Sequence, residues 1–149
     1  MALVLGGLHL WLRPRTGTDI AAQIARTSFA EAHPFTPVDL SWYAGVHPYG
    51  YSVLAPYVMA AIGIGLTGWL AAVAGAALLG HLLRDAAHPR AGAVLGGFFS
   101  VADVVSGRTT FALGAVAALA ALALLPRRVL AGIAAVLSGL FSPVAAAFL

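Results

Sequence analysis

Long apolar runs make up most of the chain, and one polar segment and a few short charged turns separate them. The run over residues 53–83 would be about 46 Å long as a single helix, whereas the hydrocarbon core of a bilayer is about 30 Å thick. A break is therefore expected inside this run. Gly63-Ile64-Gly65 is the natural position, which predicts a short interfacial helix over residues 53–62 and a membrane span over residues 66–83.

The apolar run over residues 91–125 is also too long for a single membrane span, and Ser106-Gly107 predicts a turn inside it. Pro126 opens a second turn, and Ser142-Pro143 predicts a kink in the last apolar run. The segments expected from this pattern are a partial first span over 1–12, a polar loop over 13–52, and spans over 91–105, 109–125 and 129–149, in addition to the two segments above.

The pattern thus predicts an all-α fold, a polytopic membrane protein with about five transmembrane helices. The large first loop is expected outside the cytoplasm and contains short interfacial helices. Residues 1–12 would extend only about 18 Å as a helix, so we expect them to be the outer part of an incomplete first span. The chain is accordingly expected to be a fragment of a longer protein.

Composition supports a membrane environment and excludes several classes of function. Hydrophobic residues make up 61% of the chain and charged residues 9%, a balance that would expose large apolar patches in water. The net charge of +3 comes from scattered arginines, which form no basic stripe, so no nucleic-acid partner is expected. The absence of cysteine excludes disulfides, thiolate metal sites and a cysteine nucleophile.

Basic residues in the two short turns predict the orientation of the protein. Arg84 and Arg90 flank one turn, and Arg127 and Arg128 lie in the other. The positive-inside rule places such turns in the cytoplasm. Residues 13–52 would then be extracytoplasmic, in an integral protein of a bacterial plasma membrane.

An acidic residue lies near the start of the polar loop. Asp19, Gln23 and Arg26 have i, i+4 and i+7 spacing, which places them on one face of a predicted helix. One interpretation is that Asp19 caps an interfacial helix. The functional interpretation is a carboxylate close to the bilayer surface that acts as a general base on a lipid-linked substrate. Asp39 and Asp103 are the alternative acids.

Aromatic residues and glycines crowd the end of the loop. Trp42, His47 and Tyr51 lie in a segment that also contains Gly45 and Gly50. Apolar sugar faces stack on aromatic rings, and His and Tyr supply hydrogen bonds. An interfacial aromatic belt is the alternative. The glycines favour a sugar-binding surface, since a belt requires no tight backbone.

The order of these features resembles the GT-C class of polytopic glycosyltransferases, which use polyprenyl-phosphate sugars, and in particular the mannosyl- and arabinosyltransferase-like proteins of the actinobacterial type. The matching motifs are Asp19 after the first span, Tyr51-Ser52-Val53-Leu54-Ala55-Pro56 before the second, Ser106-Gly107-Arg108 between the third and fourth, and Ser142-Pro143 in the fifth.

This resemblance implies that Asp19 is the catalytic base and that Arg108 binds the donor phosphate. It implies a polyprenyl-phosphate sugar as donor and a cell-envelope glycan or lipid as acceptor. Gln23 and His47 would orient hydroxyl groups, and Trp42 and Tyr51 would also bind substrate. The acidic site of the family is often a carboxylate pair, whereas Asp19 has no acidic neighbour, so no metal ligands are assigned and a divalent metal is left open.

Three alternatives follow from the residues. Asp103 lies five residues before Arg108 and could form a structural ion pair with it. A transporter or channel subunit could use Asp103, His81 and Arg108 as a polar path. A non-catalytic scaffold would use small residues as packing surfaces, namely Gly75, Ala76, Gly114 and Gly132.

Overall fold

The computed structural model describes residues 1–12, 17, 19–40 and 52–149, and within these ranges the chain forms helices and no strands. The expected all-α fold is therefore confirmed for this part of the chain. The helices are α1 Ala2–Leu12, α2 Ile20–Ala32, α3 Ala55–Ile62, α4 Ile64–Leu82, α5 Pro89–Val105, α6 Thr109–Ala123, α7 Arg128–Phe141 and α8 Pro143–Ala146.

The break in the first long apolar run falls at Gly63, between α3 and α4. Gly63 has a φ of 84°, a backbone conformation that residues with a Cβ rarely adopt. Its N–H donates to the Met59 carbonyl at 2.8 Å and closes α3. Ser52 and Pro56 define the other end of α3, because the Ser52 hydroxyl accepts from the Ala55 N–H at 3.3 Å and Pro56 occupies the first turn.

The last apolar run forms two helices, whereas the sequence predicted one kinked span over residues 129–149. Ser142 is extended, with φ −154° and ψ 106°, so α7 ends before it. Its hydroxyl accepts from the Ala145 N–H at 3.3 Å and caps α8. Pro143 then begins α8, where a missing N–H has no cost.

The bundle core is built from small side chains. α4 packs between α5 and α6, α7 packs on α6, and α1 packs on α4 and α5. Six residues form the central cluster: Ala2, Ala71, Ala72, Val101, Val104 and Ala112. The Trp69 indole N–H donates to the Leu3 carbonyl at 3.3 Å and fixes α1 against α4. Small residues allow the helix backbones to approach closely.

The bundle has two chemically different ends. The α2 end contains α2, α3 and the α5–α6 turn, and the basic end contains the α4–α5 and α6–α7 turns with four exposed arginines, Arg84, Arg90, Arg127 and Arg128. Within the described residues, one helix, α4, is long and apolar enough to cross a membrane by length and composition. α1, α6 and α7 are apolar but shorter.

Candidate functional site

The turn between α5 and α6 holds Arg108 in a defined position. The Gly107 N–H donates to the Val104 carbonyl at 3.0 Å, and the Arg108 N–H donates to the Asp103 carbonyl at 2.8 Å. Gly107 has a φ of 83°. These two bonds and a glycine in the left-handed region form a Schellman motif, which ends α5. The backbone of Arg108 is thus fixed by the local sequence.

This turn contacts the start of α2 directly, backbone against backbone. The Asp19 N–H donates to the Ser106 carbonyl at 3.2 Å. A Cβ added to Gly107 would lie 2.6 Å from the Ile20 nitrogen, and a Cβ added to Gly17 would lie 2.9 Å from the Ser106 oxygen. The two glycines therefore permit an approach that no other residue would allow without a shift of the backbone.

The contact brings Asp19 and Arg108 together. Oδ2 of Asp19 accepts from Nε of Arg108 at 3.2 Å, across a separation of 89 residues in the sequence. The side chains are 47% and 56% exposed. Asp19 occupies the N-cap position of α2, but its side chain makes no capping hydrogen bond. The carboxylate therefore does not cap the helix; it forms an ion pair at the surface of the α2 end.

The alternative pairing of Asp103 with Arg108 is not what the structure shows. The ion pair of Arg108 is with Asp19. Asp103 lies near the end of α5, half-buried, where its carboxylate experiences the positive charge of Arg108 but forms no ion pair within the described residues. The guanidinium thus lies in the field of two carboxylates and contacts one of them.

Gln23 is a buried residue of α2 that contacts the start of α6. Its Oε1 accepts a hydrogen bond from the Thr110 hydroxyl, and the two residues are 1% and 0% exposed. Sequence reasoning expected Gln23 to orient a substrate hydroxyl, whereas its carbonyl oxygen instead links α2 to the first turn of α6. Thr110 was not singled out in the sequence, because a threonine at the start of a helix is ordinary.

An apolar cavity of about 590 Å³ opens beside the ion pair. Ile20 and Thr109, the residues directly after Asp19 and Arg108, both line it. The other lining residues are His9, Leu10, Ile24, Ile62, Gly63, Ile64, Gly65, Leu66 and Val104. His9 contributes a polar group to this cavity. A lone histidine in an otherwise apolar helix was the available signal.

Asp39 lies apart from this ion pair. With Arg26 and Tyr57 it lines a small cavity of about 20 Å³ against the C-terminal half of α2. Arg26, predicted on the same face as Gln23, is 5% exposed and also faces inward. Trp42, His47 and Tyr51, the predicted aromatic and histidine contacts for sugar, lie outside the described residues.

The residues at Asp19 do not fit a divalent cation. A carboxylate in contact with a guanidinium is a poor ligand for a second positive charge, and a hard cation requires several oxygen ligands. The described part of the chain contains no group of three or more His, Asp or Glu side chains that could hold a metal ion. No chemical step is therefore assigned to a metal here.

Comparison with protein-family models, with curated proteins and with solved structures finds no match to this chain.

Proposed function

We propose that the protein is a membrane glycosyltransferase that moves a sugar from a polyprenyl-phosphate donor to a cell-envelope glycan or lipid on the extracytoplasmic side. One observation carries the proposal: Asp19 and Arg108 form an ion pair, and the residues that follow them in sequence, Ile20 and Thr109, line an apolar cavity of about 590 Å³. An acid, a phosphate-binding cation and an apolar cavity are the three features that such a donor and its reaction require.

Each feature fits one part of the donor. The isoprenoid chain would occupy the apolar cavity, because most of the residues that line it are apolar like the chain itself. The phosphate would bind Arg108, whose guanidinium offers paired donors to phosphate oxygens. The sugar would then lie near Asp19, within reach of an acceptor hydroxyl.

The reaction follows from this arrangement. Asp19 takes the proton of the acceptor hydroxyl, whose oxygen attacks the anomeric carbon of the sugar. The bond from that carbon to the phosphate oxygen breaks, and its electron pair remains on the polyprenyl phosphate, where Arg108 stabilises the charge. The products are an inverted glycoside and polyprenyl phosphate, and the proton is on Asp19.

The membrane architecture belongs to the same proposal. About five passes would be formed by α1, α4, α5, α6 and α7 with their flanking residues, and the basic end would face the cytoplasm. Exposed apolar side chains on the bundle surface support a lipid environment: Val4, Trp11 and Val129 are 72%, 78% and 77% exposed. Such a surface is favourable in lipid and unfavourable in water.

The rival functions have weaker structural support. His81 lies at the basic end, where it bonds Arg84 at 3.1 Å, and the apolar core separates it from Asp103 and Arg108. These residues do not form one polar path. Of the small residues expected to serve a scaffold, Gly75 and Gly114 already pack against Ser100 and Ser142 of the same chain.

The test is a transfer assay in nanodiscs with polyprenyl-phosphate sugars and the change Asp19→Asn, which removes the base and keeps the shape of the side chain. A fall in kcat of at least about 100-fold is expected, the lower range for a lost general base. Asp85→Asn is the matched control, because Asp85 also pairs with an exposed arginine but at the basic end. Full activity of Asp19→Asn would reject the assignment.

A further inference from the structure

The ion pair at the α2 end restrains the group that the proposed reaction needs as a base. A carboxylate oxygen that accepts a hydrogen bond from a guanidinium is already engaged and is less available to the proton of an acceptor hydroxyl. In this structure Asp19 is in that state, with Nε of Arg108 at 3.2 Å. Oδ2 of Asp19 therefore becomes available to an acceptor hydroxyl when Arg108 moves to another partner.

The phosphate of a lipid-linked donor is such a partner. Phosphate oxygens accept two parallel bonds from a guanidinium, whereas Asp19 receives a single bond from Nε. The Arg108 side chain is 56% exposed, so it has room to turn. The cavity beside Thr109 would bring a phosphate to this side chain. The Asp103 carboxylate also attracts the guanidinium and would keep it close to the site.

The backbones of both residues are fixed independently of their ion pair. Arg108 is held by its own N–H bond to the Asp103 carbonyl and by the Gly107 N–H bond to the Val104 carbonyl, and Asp19 by its N–H bond to the Ser106 carbonyl. The buried bond between Gln23 and Thr110 holds α2 one turn further along. An exchange of partners therefore requires rotation of two exposed side chains and leaves the helices in place.

We propose that Arg108 is a donor-operated restraint on Asp19: the phosphate of the bound lipid donor takes the guanidinium from Asp19, and only then is the carboxylate free to accept a proton. This inference rests on the proposed function. Under this proposal the donor binds before Asp19 takes the proton of the acceptor hydroxyl.

The experiment measures the reactivity of the Asp19 carboxyl in the intact protein. A water-soluble carbodiimide and an amine label carboxyl groups that the reagent can reach, and a carboxylate whose oxygen is released from an arginine is easier to reach. Trypsin would release residues 16–26 and 85–90, in which Asp19 and Asp85 are the only acidic residues. Labelling of both peptides is followed by mass spectrometry at mildly acidic pH, in nanodiscs with polyprenyl phosphate, uncharged polyprenol or inorganic phosphate.

Polyprenyl phosphate is expected to raise the labelling rate of Asp19 about two- to fivefold, the range that one exposed ion pair provides. Polyprenol should have no effect, and Asp85, paired with Arg84 at the other end, should not change under any condition. Arg108→Gln should show the raised rate without ligand and no further increase with it. Arg108→Lys, which keeps the charge, covers the case in which Arg108→Gln fails to fold.

Three results would each reject a different part of the proposal. If native mass spectrometry shows bound polyprenyl phosphate while Asp19 labelling stays constant or falls, the restraint is rejected and the proposed function stands. If polyprenyl phosphate does not bind, the proposed function is rejected together with the restraint. An equal increase with inorganic phosphate at the same concentration would support the exchange and reject the role of the cavity in binding the lipid.

Discussion

The two ends of the bundle each contain an exposed ion pair of arginine and aspartate with almost the same geometry. Arg84 and Asp85 are 3.1 Å apart, and Arg108 and Asp19 are 3.2 Å apart. The first pair joins adjacent residues in one turn, whereas the second joins residues 89 positions apart on two elements. The distances are nearly equal, so the difference between the pairs lies in what surrounds them.

Exposed ion pairs contribute about 0–1 kcal/mol to stability, so neither pair holds its end of the bundle together. Two other interactions hold the α2 end together: the close contact of Gly107 with Ile20 and the buried bond between Gln23 and Thr110. The Asp19–Arg108 pair is therefore an arrangement that other interactions impose. It can change without loss of the fold, and this is what a reactive pair needs.

The largest effect is expected for Gly107→Ala. The new Cβ would lie 2.6 Å from the Ile20 nitrogen at a φ of 83°, so α2 must move away from the turn. Gly63→Ala is the matched control, because Gly63 has a φ of 84° but no atom within 4 Å of the added Cβ. We expect Gly63→Ala to cost about 1–3 kcal/mol from backbone strain alone, and Gly107→Ala to cost more because of the added clash.

Thermal unfolding in detergent, followed by circular dichroism, measures both variants. Equal destabilisation would mean that the contact between the α5–α6 turn and α2 adds nothing beyond the strain of the backbone. The α2 end would then resemble the basic end, and the fixed geometry of Asp19 would lose its explanation.

The second-largest loss of stability is expected for Thr110→Val, which keeps the shape of the side chain and removes the hydroxyl that bonds Gln23. An unsatisfied buried acceptor costs about 1–3 kcal/mol, and both residues are almost fully buried. Thr36→Val, at an exposed threonine, is the control and should change stability by less than about 0.5 kcal/mol. Unfolding midpoints of the two variants that coincide would show that this bond does not hold α2 on α6.

Local chemistry made part of this arrangement predictable. Gly63 and Ser106-Gly107 were expected as breaks, and each falls at a helix boundary, because a glycine in the left-handed region ends a helix wherever the rest of the chain goes. The i, i+4, i+7 spacing of Asp19, Gln23 and Arg26 placed them near one face of α2, but it did not show which of them would be buried.

Long-range packing made the rest unpredictable. Asp103 was weighed as the partner of Arg108 because it is near in sequence, yet the contacts of Gly17 and Gly107 bring Asp19 to the guanidinium. Such a contact leaves no local sequence pattern. A glycine that allows another backbone segment to approach closely cannot be told from any other glycine in a glycine-rich chain. The bond of Gln23 to Thr110 and the cavity position of His9 depend on the same packing.

The smallest effect concerns the stability of the two ion-pair variants and gives the sharpest comparison. Asp19→Asn and Asp85→Asn should each change the free energy of unfolding by at most about 1 kcal/mol, because both carboxylates are exposed and screened by solvent. Unfolding midpoints in detergent, at low and at high salt, would measure this. Equal stability would mean that any difference in transfer activity between the variants comes from chemistry at Asp19. A clearly larger loss for Asp19→Asn would instead make its ion pair a structural one, and the argument for a base at the α2 end would fail with it.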